Sequence, residues 1–258
     1  MEYLSTFETY IPFDLSIGIN FFIATLVVMF FVLFRYFLIV GIFYLGFYKT
    51  NFFKKNFLHK EKPSTNQIKT EISYSLLSSV IFSISGVLLG ILWQKGYTKF
   101  YLNFDQYGYF YLPLSLILWS LVHEAYFYIT HRWMHIPRFY RSIHQIHHLS
   151  VNTSPWASFS FHPWEAIIQA LILPILAMTI PMHPIVFITY LTIMTLSAVI
   201  NHLGYETLPE FLREFFISGS HHGEHHKYFN YNYGLWFTFM DRFFKTEYKK
   251  TIKPLEQK

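Results

Sequence analysis

Residues 108–135 read GYFYLPLSLILWSLVHEAYFYITHRWMH, and this stretch joins an apolar run directly to a cluster of histidines. The run over 108–129 is long enough to cross the hydrocarbon core of a bilayer as a helix. On that helix Glu124, His131 and His135, separated by seven and four residues, lie along one stripe. The stretch therefore predicts a membrane helix that delivers two imidazoles and a carboxylate near one end.

Further apolar runs lie on both sides of this stretch. Residues 17–48 and 72–93 predict two more spans, and the first is too long, after an acidic leader, to be a cleavable signal peptide. The shorter runs 164–181 and 184–201 are separated by Pro181-Met-His-Pro184, which predicts a tight hairpin. With 53% hydrophobic and only 14% charged residues, the chain is predicted to be an all-α integral membrane protein with about four to five membrane helices.

The composition also limits domain number and cofactor type. No linker or repeat divides the chain, so we expect a single membrane domain over 1–258, with N-terminal spans and loops in 1–107 and a catalytic region in 108–258. There are no cysteines, which excludes disulfides and iron–sulfur clusters. The net charge of +5 comes largely from loop lysines and favours anionic lipid headgroups over nucleic acid as a partner.

Loop charge predicts the orientation in the membrane. Segment 49–70 carries six lysines, whereas no Lys or Arg precedes the first span. The positive-inside rule therefore places 49–70 in the cytoplasm, and alternation of the spans brings the histidine clusters to the same side as a cytoplasmic cap. The mixed segment Phe52–Leu58 is expected at the membrane interface. For Arg35, within the first span, burial against another helix or snorkelling is favoured over a functional role.

Eight histidines fall in three short clusters with helical spacing. The clusters are His131-Arg-Trp-Met-His135, His144-Gln-Ile-His147-His148 and His222-Gly-Glu-His225-His226. Residues at i, i+3 and i+4 share a helix face, and neutral imidazole is a common ligand of transition metals. Eight ligands exceed the four of one tetrahedral zinc, so the pattern indicates two metal ions. Pro137 ends the helix after His135, and a new helix is expected to carry the second cluster.

Three further residues complete the predicted site. His202 ends the second arm of the hairpin, where the ligand role is favoured over a helix-end histidine bonded to a carbonyl. Asn201 could hydrogen-bond a ligand or bound oxygen, or could simply cap the helix. Glu124 could orient a ligand histidine, or could pair with Arg132 or Arg138. Gly204 could let the chain turn close to the site.

The other histidines have different expected roles. His123 lies away from the stripe of His131, which disfavours a ligand role, and His162 is expected to be a cap or an orienting group. His59 and His183 are expected to face solvent from loops. His221 could be a ligand, an orienting group or exposed.

The clusters, in this order and spacing over Glu124–Thr246, resemble the fatty acid hydroxylase/sterol desaturase superfamily of integral-membrane di-iron enzymes. Ser218-Gly-Ser-His-His-Gly-Glu-His-His226 and Tyr231-Asn-Tyr-Gly234 are similar to the sterol desaturase (lathosterol oxidase) branch, as are Asp241-Arg242 and Phe161-His162-Pro163. The resemblance implies two iron ions bound by the eight cluster histidines, and it supports His202 less strongly.

The expected activity is O₂-dependent hydroxylation or desaturation of a membrane lipid, with a sterol-like or fatty acyl or sphingoid substrate. An all-imidazole site suits Zn, Cu, Fe or Ni, and zinc does no redox chemistry. Because the chain has no cysteine and no GxGxxG fingerprint, electrons are expected from a separate ferredoxin, b-type cytochrome or reductase. Basic residues near the clusters could dock that carrier or contact headgroups; they are Arg132, Arg138, Arg141 and Lys227.

Two alternatives come from other classes of protein. One is a membrane metal transporter or storage protein, which would spread histidines along a path through the membrane. The other is a zinc-dependent membrane hydrolase, for which carboxylate bridges are the usual ligands. Metal identity distinguishes these alternatives. The sequence is compatible with the inner membrane of a bacterium or the endoplasmic reticulum of a eukaryote.

Overall fold

A computed structural model describes residues 12–50 and 54–248 of the chain. Six helices of ten or more residues occur in these ranges: α1 Gly18–Tyr48, α2 Thr65–Gln94, α3 Tyr111–Met134, α4 Pro163–Thr179, α5 Pro184–Asn201 and α6 Gly219–Tyr228. The described residues contain isolated β-bridges but no strand. The predicted all-α class is confirmed.

The predicted spans correspond to the observed helices with shifted ends. α2 begins seven residues before the predicted span at 72, because the Ser64 side chain caps it by accepting a hydrogen bond from the Gln67 N–H. α3 continues beyond 129 to Met134, which carries His131 on the last turns of the helix itself. The hairpin is present: α4 ends at Thr179 and α5 begins at Pro184, where a missing N–H costs nothing.

Four of these helices, α1, α2, α3 and α5, are long and apolar enough to cross a membrane, and α4 is a shorter apolar helix. Large apolar side chains cover their outer surfaces; Phe30 and Phe31 of α1 are 62% and 61% exposed. Such faces are stable against lipid rather than water. The chain is an integral membrane protein.

Two buried clusters hold the helices together. α3 packs against α4 and α5 around Trp119, Ile172 and Tyr190. α1 packs against α2 and α5, with Tyr36 stacked on Phe159 at a ring separation of 5.2 Å. The helix ends that carry histidines therefore meet at one end of the bundle.

The end of α1 is joined to the loop that follows α5. The Tyr48 hydroxyl donates a hydrogen bond of 2.8 Å to the carbonyl of Leu203, next to His202. Gly204 has a positive φ of 73°, and a Cβ there would lie 2.6 Å from the Thr153 carbonyl oxygen. The predicted close turn at Gly204 is confirmed, and only glycine fits it without strain.

Two expected solvent-facing histidines are instead held by the fold. His183 is only 4% exposed, since it caps α5 and its Nε2 lies 3.1 Å from the Leu102 carbonyl oxygen. His59 is partly buried, with its Nε2 2.9 Å from the Thr153 hydroxyl. The expectation was wrong for both, because a loop position does not reveal packing against a distant loop. Of the expected interfacial segment Phe52–Leu58, residues 52 and 53 lie outside the described residues.

Candidate metal centre

The first histidine cluster lies at the C-terminal end of α3. His131 is buried, and its Nδ1–H donates a hydrogen bond of 2.9 Å to the carbonyl oxygen of Tyr233. His135 follows one turn later as the C-cap residue, with its ring 5.1 Å from that of His131. The predicted alignment of these two imidazoles on one stripe is observed.

The second cluster lies on a short helical segment over 137–148. Pro137 starts it, and the turn Tyr140–His144 is a π-helix before regular α-helix resumes at Gln145. Single π-turns inside helices often occur at functional sites. The segment directs His144 and His148 to one side, with their Nε2 atoms 3.0 Å apart.

The third cluster lies on α6, and its three histidines point in two directions. His222 and His226 approach each other, with their Nε2 atoms 3.1 Å apart. The ring of His225 instead lies 4.5 Å from that of His131. His202, at the C-cap of α5, joins His222 at an Nε2–Nε2 distance of 2.9 Å.

The nine histidines form two adjacent groups, and within each group the potential ligand atoms all lie within 4.8 Å of one another. We call them the five-histidine group (His131, His135, His144, His148 and His225) and the four-histidine group (His147, His202, His222 and His226). The groups touch, since the rings of His148 and His226 are 4.6 Å apart. The predicted convergence in one place is what the structure shows.

Hydrogen bonds to backbone carbonyls determine which ring nitrogen carries the proton. A carbonyl oxygen only accepts, so Nδ1 of His147 must be protonated where it faces the Ser160 carbonyl, as must that of His202 facing the Ala198 carbonyl. In neutral rings the Nε2 atoms then have only lone pairs. These two Nε2 atoms nevertheless lie 3.1 Å apart, so no hydrogen bond can join them.

The five-histidine group shows the same feature. Nδ1 of His225 donates to the Tyr231 carbonyl at 2.6 Å, and its buried Nε2 has no hydrogen-bond partner. The Nε2 atoms of His131 and His144 lie 3.1 Å apart. Two nitrogens bound at right angles to one ion, with metal–nitrogen bonds of about 2.0–2.1 Å, would lie about 2.9 Å apart. Converging lone pairs at this spacing fit a shared cation.

The rings are electrically neutral at ordinary pH. Burial, followed by repulsion from neighbouring rings, lowers the pKa of His144, His148 and His226 well below the usual value. Burial lowers the pKa of His202 to about 4. Neutral imidazole is the form that binds metal, so the buried rings are already in the protonation state that metal binding would require.

The two non-histidine site candidates have a different arrangement from the one expected. Glu124 accepts hydrogen bonds from the backbone N–H groups of Leu235, Trp236 and Phe237, rather than contacting a histidine or pairing with arginine. The Asn201 amide donates to the Leu235 carbonyl at 2.9 Å. Both side chains therefore fix the segment that follows Tyr233, whose carbonyl orients His131. Glu124 therefore acts on His131 through this segment and not by the direct contact that was one of its two expected roles.

The carboxylate that does contact a cluster histidine is Glu165. Its Oε1 lies 2.7 Å from Nδ1 of His144, and both side chains are buried. Glu165 was not among the predicted site residues, although it follows the Phe161-His162-Pro163 motif by two residues. The sequence feature that could have identified it is a charged residue at the start of an apolar helix, because such residues are usually functional.

The remaining histidines lie outside both groups. His162 caps α4 by accepting a hydrogen bond from the Trp164 N–H, as expected. His123 lies 2.5 Å from the Tyr190 hydroxyl. His221 is buried beside Ser218. Of its three expected roles, that of an exposed residue is therefore excluded.

An apolar cavity of about 600 Å³ lies directly below the histidines, between α1, α2, α3, α4 and α5. Phe127 and Phe161 line its upper end, with rings 4.9 Å from His131 and 5.0 Å from His147 respectively. A volume of this size accommodates a lipid-sized ligand. The cavity therefore adjoins both histidine groups through these two aromatic side chains.

The fold and site define an integral membrane protein with two adjoining all-imidazole groups above an apolar cavity. The family model for fatty acid hydroxylase matches residues 116–246, which include all nine histidines. The chain belongs to the fatty acid hydroxylase family.

Curated relatives include sterol-modifying proteins. The chain is 31% identical to lathosterol oxidase of Homo sapiens and 32% identical to that of Mus musculus, in each case over 69% of this chain and 60% of the relative. It is 30% identical to the Delta(7)-sterol 5(6)-desaturase of Saccharomyces cerevisiae, over 69% of this chain and 48% of the relative. The match thus spans about half to three-fifths of the relatives' length. No solved structure matches the chain significantly.

Proposed function

We propose that the protein is a membrane oxidoreductase that uses O₂ and two iron ions to hydroxylate or desaturate a lipid. The observation that carries this proposal is the pair of buried imidazole groups whose Nε2 lone pairs converge at the top of an apolar cavity. The relatives' names, lathosterol oxidase and Delta(7)-sterol 5(6)-desaturase, support a sterol-like substrate among membrane lipids.

The metal ligands would be the nine histidines of the two groups. A bound iron pair would supply O₂ activation, and neutral nitrogen ligands suit iron. Glu165 would hold the proton on Nδ1 of His144 and so direct its Nε2 lone pair inward. The carbonyls of Tyr231 and Tyr233 would do the same for His225 and His131.

The chain's other contribution is to bring the substrate to the site and exclude water. The aromatic wall formed by Phe127, Phe159 and Phe161 would hold the reacting part of the lipid next to the histidines. Lipid would enter laterally, because the bundle is surrounded by the membrane. Glu124 and Asn201 would act as positioning residues that hold Leu235 at the cavity wall.

The alternative classes are less well supported. A transporter would need histidines along a path, whereas the nine imidazoles gather at one end of the bundle. A zinc hydrolase would usually have carboxylate ligands, and neither group contains one. We further propose that this end faces the cytoplasm, where a ferredoxin, b-type cytochrome or reductase would donate electrons beside Arg138 and Arg141.

The test combines metal analysis with turnover on the purified full-length protein. We expect two irons per chain and O₂-dependent conversion of a sterol or an acyl lipid when an electron donor is supplied. His147→Ala should eliminate conversion, whereas the matched control His183→Ala, at the opposite end of α5 from His202, should retain it. Stoichiometric zinc that sustains hydrolysis, with no O₂ consumed, would overturn the proposal.

A further inference from the structure

The upper part of the apolar cavity contains polar side chains with buried atoms that have no hydrogen-bond partner. Among the described residues lining it, Arg35 Nε, Gln169 Nε2 and Ser158 Oγ are buried without a hydrogen-bond partner. Buried polar atoms in native proteins nearly always have partners. Three such atoms around one cavity indicate that a ligand supplies the missing partner.

Arg35 is the strongest of these signals. It is the single charged residue of α1, and it forms no ion pair with any described residue. Thirteen residues separate it from Tyr48, or about 20 Å along the helix, so its head group cannot reach water beyond that end. An unpaired guanidinium at membrane depth is costly, which favours a role in binding.

Gln169 places the polar region close to the histidines. It follows Glu165 by four residues on α4, which puts it on the same face and about 6 Å deeper along the axis. Glu165 itself contacts His144. The amide of Gln169 thus lies about one helical turn from the five-histidine group.

The position of Arg35 agrees with this placement. Its neighbour Tyr36 stacks on Phe159 and donates a hydrogen bond to the Trp156 carbonyl. Ser158 and Phe159 belong to the same 3₁₀ turn, Pro155–Phe159. The deeper wall, by contrast, is formed by apolar side chains such as Val28, Leu89 and Phe187.

We propose that Arg35 and Gln169 bind a hydrogen-bond-accepting oxygen at the polar end of the lipid substrate, while its hydrocarbon fills the deeper cavity. Guanidinium has donors only, so the ligand atom must be an acceptor, and an anionic oxygen gives the strongest pair. Two lipid classes carry such an oxygen: a sterol hydroxyl and a fatty acid carboxylate. The inference rests on the proposed function for the identity of the ligand as substrate.

The test measures binding without turnover, using the full-length protein in nanodiscs. Three radiolabelled probes are compared: a 3β-hydroxysterol, an eighteen-carbon fatty acid and the matching hydrocarbon. Arg35→Met and Gln169→Leu are the test variants, and Arg141→Met, at an exposed position, is the matched control. Thermal unfolding of each variant verifies that it is folded.

We expect saturable binding of at least one oxygen-bearing probe, and the class that binds identifies the source of the oxygen. Arg35→Met should weaken it by about tenfold or more, as expected for a hydrogen bond to a charged group, while Arg141→Met has no effect. Gln169→Leu should weaken it by a smaller factor. Equal binding of the hydrocarbon, unchanged affinity in both test variants, or no saturable binding of either oxygen-bearing probe would overturn the inference.

The result separates this inference from the proposed function. A probe that binds through Arg35 but is never oxidised by the iron-loaded protein in the presence of O₂ and an electron donor would contradict the oxidoreductase and leave the binding site established. Oxidation of a lipid with undiminished rate and affinity in Arg35→Met would contradict the binding site alone.

Discussion

Replacing Glu165 with glutamine tests whether a carboxylate outside the ligand set controls the proposed metal affinity. The variant Glu165→Gln replaces the carboxyl group whose Oε1 lies 2.7 Å from Nδ1 of His144 and keeps the side-chain volume. Residues that orient a metal-binding histidine typically change metal affinity by about 10- to 100-fold, which is about 1.4 to 2.8 kcal/mol. We expect a loss in this range, measured by competition with a chelator.

Thermal unfolding gives an independent reading of the same effect. At a fixed excess of metal, a tenfold weaker site reduces the metal-dependent stabilisation by about 1.4 kcal/mol. The metal-free proteins should differ much less, because the substitution exchanges one buried polar group for another of the same shape. Glu210→Gln is the matched control, since Glu210 is exposed and distant in sequence from every cluster.

If Glu165→Gln binds metal with the affinity of the wild-type protein, the carboxylate does not orient His144. An equal loss of stability with and without metal would likewise show that Glu165 acts on the fold alone.

Three further predictions concern single substitutions. His147→Ala should abolish lipid oxidation but not membrane insertion, because the spans do not depend on it; turnover assays and membrane fractionation check this, and full turnover would reject the assignment. Gly204→Ala should lower stability by about 1–3 kcal/mol in thermal unfolding, because its Cβ would lie 2.6 Å from the Thr153 carbonyl oxygen; an unchanged Tm would contradict the steric argument. His59→Ala, expected from its loop position to be silent, should instead cost about 1 kcal/mol by losing its bond to Thr153, and a double-mutant cycle with Thr153→Val measures that bond.

Apolar runs and histidine spacing were sufficient to predict the helices and the meeting of the clusters. The runs at 17–48 and 108–129 could be recognised because a membrane requires long uninterrupted helices. Convergence followed from the spans, which return the clusters to one side. His202 is a helix-end histidine bonded through Nδ1 to the Ala198 carbonyl, and its Nε2 also lies in the four-histidine group, so its role as a metal ligand stays a prediction.

Contacts between segments distant in sequence could not be predicted in the same way. Glu124 shares a helical stripe with His131, yet three backbone N–H groups more than a hundred residues away hold its carboxylate. The π-turn Tyr140–His144, which leads into the second cluster, likewise has no simple signature in the sequence. Helical periodicity fixes which residues share a face, but tertiary packing selects the partner of each face.

The alternation of histidines between the two groups links the two proposed metal positions mechanically. The second cluster sends His144 and His148 to one group and His147 to the other, and α6 divides His225 from His226 in the same manner. An ion bound in either group would therefore immobilise the helices that supply ligands to its neighbour, so the second ion would bind an already ordered site. Loading is expected to be positively cooperative: a titration should pass from the empty to the doubly occupied protein with little singly occupied species, and loss of one ligand should weaken both positions.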